Sequence, residues 1–78
     1  MKYVYILESL ESEHFYVGVA DDASARLIKH NAGEVPHTSK YQPWRIKTYV
    51  AFTDAKRALA FEKYLKSDSG RAFAKKRL

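Results

Sequence analysis

Apolar residues fall in short blocks separated by polar, glycine- and proline-bearing segments. Lys2–Glu8 carries Tyr, Val, Tyr, Ile and Leu between polar ends, and Phe15–Ala20 is a second run of similar length. Both read as strands, and the polar stretch Ser9–His14 between them reads as a hairpin connection, so the two pair antiparallel. Asp21 or Asp22 is placed to cap a helix over Ala23–Ala32, with Gly33 in the stop position. Gly33–Pro43 holds a glycine and both prolines and reads as a loop, basic and hydroxyl-bearing at His37-Thr38-Ser39-Lys40. Trp44–Phe52 alternates Trp, Ile, Thr, Val and Phe with Arg, Lys, Tyr and Ala, which predicts a third strand. Thr53 or Asp54 then caps a long helix to about Ser67. Asp68-Ser69-Gly70 is expected to break it before a short basic helix over Arg71–Lys76. The order β-β-α-β-α-α predicts an α+β fold, a small three-stranded antiparallel or mixed sheet with helices packed on it.

Alternation places Tyr3, Tyr5 and Leu7 on one face of the first strand, with Val4 and Ile6 on the other. On the second strand Tyr16 and Gly18 oppose Phe15, Val17 and Val19. Each strand therefore offers an apolar face and a tyrosine-bearing face. On the long helix Ala55, Ala58, Leu59, Phe61 and Leu65 form an arc, and Glu62 falls inside it.

The 78 residues suit a single domain over 1–78, burying roughly 60–65% of the surface of its unfolded chain. There is no cysteine, so neither a disulfide framework nor a thiolate metal site exists. No stretch approaches the ~18 apolar residues of a membrane span, and the N-terminus does not read as a secretion signal. A cytoplasmic protein is the expectation. Fourteen Lys and Arg against nine Asp and Glu give a net charge of +5. The charge is uneven. Residues 8–22 carry acids and no Lys or Arg, whereas basic residues outnumber acids well beyond residue 56. A basic C-terminal end is compatible with a phosphate backbone, as it is with an ordinary solvated helix.

The chemistry-bearing residues are few. Arg26 and His30 lie four apart on the first helix and share a face. Taken alone, such a pair is more commonly a solvated helix face. Functionally, Arg26 would bind a phosphate bidentately, and His30 would accept or relay a proton or hydrogen-bond the phosphate. Tyr5 and Tyr16 read either as amphipathic sheet residues or as phenols beside a reacting water. A phenol with pKa ~10 is a poor base at neutral pH, so such a site must lower it or use it through hydrogen bonding. Glu62 within an apolar arc needs a cation, because an unpaired carboxylate there would cost several kcal/mol. That cation is either a structural partner, Arg26 or a nearby lysine, or a divalent metal ion such as Mg²⁺. Asp21, Asp22 and Asp54 are accounted for as helix caps.

Tyr3-Val4-Tyr5, Tyr16-Val17-Gly18, Arg26 ten residues after Tyr16, and Glu62 stand in an order and spacing that resemble the GIY-YIG nuclease domain. His30-Asn31, Pro43-Trp44 and the stretch from Ala60 to Ser67 are similar to its small stand-alone members, so the resemblance covers nearly the whole chain. It departs at Tyr3, where the motif has glycine, at Val19, often a polar position, and in lacking an asparagine twelve to fifteen residues after Glu62. The resemblance implies an endonuclease that hydrolyses DNA phosphodiester bonds with low sequence specificity, dependent on Mg²⁺ or Mn²⁺ held by Glu62. Tyr5, Tyr16, Arg26, His30 and Glu62 are its expected catalytic residues. Lys40, Arg45, Lys66, Arg71, Lys75 and Lys76 are candidates for phosphate contacts, as is Arg77, and Tyr41 or Trp44 for stacking on a base. The alternative is a non-catalytic nucleic-acid-binding module of the same fold. No small-molecule cofactor and no membrane partner are expected.

Overall fold

The computed structural model describes residues 1–78. Three strands, β1 (Lys2–Ser9), β2 (Phe15–Ala20) and β3 (Trp44–Phe52), form one sheet in the order β2-β1-β3. Both pairings are antiparallel, so nothing in the sheet is mixed. The central place of β1 explains its composition. It is paired on both edges and covered on both faces, which is why Val4 to Leu7 is continuously apolar and buried.

The helices divide between the two faces. On one, α1 (Ala23–Asn31) packs Ala23 and Leu27 against Tyr5, Leu7 and Trp44. On the other, α2 (Ala55–Leu65) and α3 (Asp68–Arg77) enclose Val4, Ile6, Ala58 and Leu65, with Phe52, Phe61 and Phe73 around them. Burying each large aliphatic side chain contributes about 1.5–3 kcal/mol, and most of it converges on β1. Asp22 caps α1 by accepting from Ala25 N at 3.0 Å, and Asp54 caps α2 by accepting from Lys56 N at 2.8 Å.

Two expectations fail here. The last helix starts at Asp68 and not at Arg71, because Ser67 caps it, its Oγ accepting from Gly70 N at 3.1 Å. Gly70 therefore lies inside α3. It breaks nothing, and a Cβ there would overlap the Tyr64 carbonyl, so the close approach of α3 to the end of α2 demands glycine. The apolar arc of α2 is also narrower than its wheel suggests, since Ala55 and Leu59 are exposed and only Ala58, Phe61 and Leu65 face the core.

The loop after α1 turns at Gly33, whose φ of +75° favours glycine, and returns through a 3-10 turn at Ser39–Tyr41. It is tied back to α1. Asn31 accepts from Trp44 N at 2.6 Å and donates Nδ2–H to Trp44 O at 2.9 Å. These bonds seat the loop against the tyrosine-bearing face.

Candidate active site

The tyrosine-bearing face converges on Tyr5. Its register partner across the β1–β2 ladder is Gly18, and the Tyr5 side chain lies over that residue so closely that a Cβ would overlap the hydroxyl and the ring. Glycine in Tyr16-Val17-Gly18 is thus a space requirement. Tyr16, two residues earlier, tilts beside Tyr5 with ring centroids 6.4 Å apart. His30, from the last turn of α1, completes the cluster, 4.8 Å from Tyr16 and 6.0 Å from Tyr5 by centroid.

Tyr5 and His30 are both 0% exposed. The Tyr5 hydroxyl pairs with His30 Nε2 at 3.2 Å, and His30 Nδ1 pairs with Thr38 Oγ1 at 2.7 Å. Thr38, 1% exposed, comes from the loop after α1 and was passed over in the sequence, where it is one hydroxyl among several. Its backbone is fixed as well, Trp44 Nε1–H donating to its carbonyl at 2.9 Å.

Arg26 lies one turn before His30 and is half-buried, its Nε enclosed without a partner. Burial pushes the Tyr5 phenol above its usual value. The Arg26 guanidinium beside it pulls the other way, and negative charge on Tyr16 and Glu62 adds to the rise. Burial likewise lowers the His30 pKa, with the Arg26 charge acting in the same sense. Tyr5 is therefore a neutral phenol and His30 a neutral imidazole around pH 7.

Two residues expected at the reacting centre lie below the surface. Neither Tyr5 nor His30 reaches the surface, so neither touches a phosphate or an attacking water in this conformation. Tyr16, Arg26 and Glu62 are the partly exposed members of the expected set. Glu62, expected to seek a cation, pairs with Lys66 at 3.0 Å, its side chain keeping 20% of its exposure. The partner is a neighbouring lysine one helical turn on, not Arg26. No group of three or more His, Cys, Asp or Glu gathers anywhere in the fold. A metal ion here would have one protein carboxylate and complete its shell with water and substrate oxygens, a donor set that fits Mg²⁺.

An open cavity of about 690 Å³, lined in part by Tyr16, lies along the α2/α3 face of the sheet, opposite the tyrosine cluster. Phe15, Val17 and Leu65 contribute to its floor, and Lys47, Lys66, Arg71 and Lys75 to its basic margin. Phe15 remains 58% exposed, with Lys47 Nζ 5.3 Å above its ring. Three expected phosphate contacts, Lys66, Arg71 and Lys75, thus lie together, and Lys47 was missed because an outward lysine on an alternating strand carries no distinguishing signal. Lys40, Arg45 and Lys76 do not line the cavity, and Arg45 Nε–H donates to Glu8 at 2.8 Å. Trp44 is 3% exposed and Tyr41 stacks on His14 with centroids 3.8 Å apart. Trp44 is a core anchor and does not stack on a base.

The GIY-YIG catalytic domain model matches residues 1–77. The chain belongs to the GIY-YIG family. It is 37% identical over 65 residues to a UPF0213 protein of Lacticaseibacillus paracasei, a match covering 82% of this chain and 72% of that one. The solution structure of a UPF0213 protein from Bacillus halodurans superposes with a TM-score of 0.58 at 31% identity, covering 96% of this chain and 81% of that one. Membership gives the site a nuclease-type frame with nucleic acid as its substrate class. Within it the GIY-YIG motif residues Tyr5, Tyr16 and Gly18 form one packed unit.

Proposed function

We propose that this protein is a Mg²⁺-dependent endonuclease that hydrolyses DNA phosphodiester bonds with little sequence preference. The observation that carries this reading is the grouping of Tyr16 and Arg26 over the buried Tyr5–His30 pair, close enough to Glu62 for its charge to act on Tyr5. Arg26 binds the scissile phosphate through the guanidinium nitrogens that its buried Nε leaves available, and it offsets the charge that develops on the phosphoryl oxygens. Tyr16 hydrogen-bonds the attacking water and aligns it with phosphorus. Water oxygen then forms a P–O bond as one ester P–O bond breaks. The water proton passes to solvent and the leaving oxygen takes one from it. Glu62, freed from Lys66, would hold a divalent ion, which when bound lowers the pKa of water and neutralises phosphate charge.

The basic margin at Lys47, Lys66, Arg71 and Lys75 borders the cavity on the α2/α3 face, which Tyr16 also lines, and there it neutralises the backbone of the bound strand. None of these groups belongs to a base-reading element, which supports low sequence preference. The test is nicking of supercoiled plasmid by the purified protein with Mg²⁺ or Mn²⁺, with and without chelator. Nicking abolished by chelator and by Arg26→Ala supports the reading. Tight DNA binding without cleavage under any divalent ion would replace it with the non-catalytic binding module.

A further inference from the structure

The buried Tyr5–His30–Thr38 row has a direction. Thr38 has a single hydroxyl proton, and its Oγ donates to Val35 O at 3.3 Å. With its proton on Val35 O, Thr38 is an acceptor toward His30, and the 2.7 Å contact is then one that Nδ1–H donates. A neutral imidazole has only one N–H, which leaves Nε2 bare. The 3.2 Å contact is then a bond that the Tyr5 hydroxyl donates to Nε2. In the opposite arrangement the Thr38 proton is aimed at Nδ1 and leaves Val35 O, Nε2–H donates to Tyr5, and the Tyr5 proton turns away from His30 beside the Arg26 guanidinium, whose charge acts on Tyr5.

We propose that Thr38 is a positioning residue that sets the direction of this row, holding His30 in the Nδ1–H tautomer so that Tyr5 donates inward and turns its lone pairs to Arg26. The loop after α1 thereby reaches the phosphate-binding arginine without touching substrate. Its register is fixed by Thr38 N donating to Val35 O at 3.1 Å and by the Trp44 bond to the Thr38 carbonyl. A reversed row would press donor against donor at Tyr5 and push the guanidinium out of place, a cost that grows in a site shielded from water. This inference rests on the reading of Arg26 as the phosphate ligand.

The test needs no substrate for its first readout. In ¹⁵N-labelled protein free of metal and DNA, the two ring nitrogens of His30 distinguish the tautomers at pH 7.5. Wild type should show the proton on Nδ1. Thr38→Val, similar in shape but lacking the oxygen, should move the proton to Nε2 and lower cleavage about 10- to 100-fold through misplacement of Arg26. Thr38→Ser restores the acceptor and should restore both tautomer and cleavage. An Nε2–H tautomer in wild type overturns the proposal even if Thr38→Val does not fold, and so does an unchanged tautomer in Thr38→Val. A wild-type protein with the Nδ1–H tautomer that cleaves no DNA would overturn the nuclease reading instead.

Discussion

Tyr5 lies across Gly18, its register partner on the neighbouring strand, with no room for a Cβ between them. Gly18→Ala must therefore push the Tyr5 ring aside and break its bond to His30. The overpacking costs about 1–3 kcal/mol. At about 4–8 °C per kcal/mol for a domain of this size, thermal denaturation should show a loss of roughly 5–20 °C. A Gly18→Ala protein that melts with wild type would mean Tyr5 does not occupy this position.

The two motif tyrosines should separate cleanly on substitution by phenylalanine. Tyr16 is half-buried and its hydroxyl makes no bond within the protein, so Tyr16→Phe should leave stability within about 0.5 kcal/mol. Cleavage should fall by ~10²-fold as the water loses its orienting partner. Tyr5→Phe strands Nε2 of a fully buried histidine, which costs about 1–3 kcal/mol. Tyr3, whose ring packs edge-on against Tyr49 at 5.8 Å, is the control, and Tyr3→Phe should be silent in both assays. Equal cleavage by Tyr16→Phe and wild type would remove Tyr16 from the site.

Stability should be greatest between about pH 6.5 and 10 and fall on both sides. Burial, then Arg26, holds the His30 pKa down, so the folded state binds its proton less well than the unfolded chain. Its contribution is complete above the unfolded value near 6.5 and is lost as pH falls through the lower folded value. Tyr5 is raised by burial against the pull of Arg26. Its contribution is complete below about pH 10 and is lost as pH climbs through the folded value. Asp21, lowered by its bond to Lys2, adds a further acid loss only below about pH 4. Denaturant midpoints across this range provide the check, and a protein as stable at pH 5 as at pH 7.5 would contradict a neutral, buried His30.

The elements and their order were legible because each rests on local signals: capping Asp22 and Asp54, alternation in β3, and a continuously apolar β1 that only a central strand needs. The motif residues of the candidate site were legible for the same reason of spacing. Their depth was not. Whether the Tyr5 hydroxyl points into the core or to the rim depends on the absence of a Cβ at Gly18 and on a loop more than thirty residues away in sequence. Thr38 was invisible, since no periodicity marks the one hydroxyl of His37-Thr38-Ser39 that turns inward. Gly70 misled because a glycine required for helix packing and a glycine that ends a helix look alike in sequence.

DNA affinity should depend on salt through the basic margin of the cavity. Each phosphate neutralised contributes about −0.9 to the slope of log K against log salt. Arg71→Ala and Lys75→Ala should each weaken binding to all sequences alike and flatten that slope by about one unit. Lys76→Ala, outside the cavity, should change it less. Fluorescence anisotropy with chelator present isolates binding from cleavage. Equal slopes for all three variants would place the strand elsewhere on the protein.

Glu62→Gln distinguishes metal ligand from structural partner. The carboxylate is paired with Lys66 one turn away, and Lys66 keeps about half of its side-chain exposure. Such an i,i+4 pair contributes only about 0.3–0.5 kcal/mol, so its loss should move the metal-free melting temperature by no more than about 2–4 °C. Lys66 is left with water around it, which avoids the larger penalty of stranding a buried charge. The effect on chemistry should be of another order. Mg²⁺ should raise the melting temperature of wild type by mass action and leave Glu62→Gln unmoved. DNA binding in chelator should persist in the variant, because Arg26 and the basic margin are untouched, while Mg²⁺-dependent nicking disappears. A Glu62→Gln protein that still nicks DNA and is still stabilised by Mg²⁺ would sink the assignment and leave Glu62 as a partner of Lys66 alone.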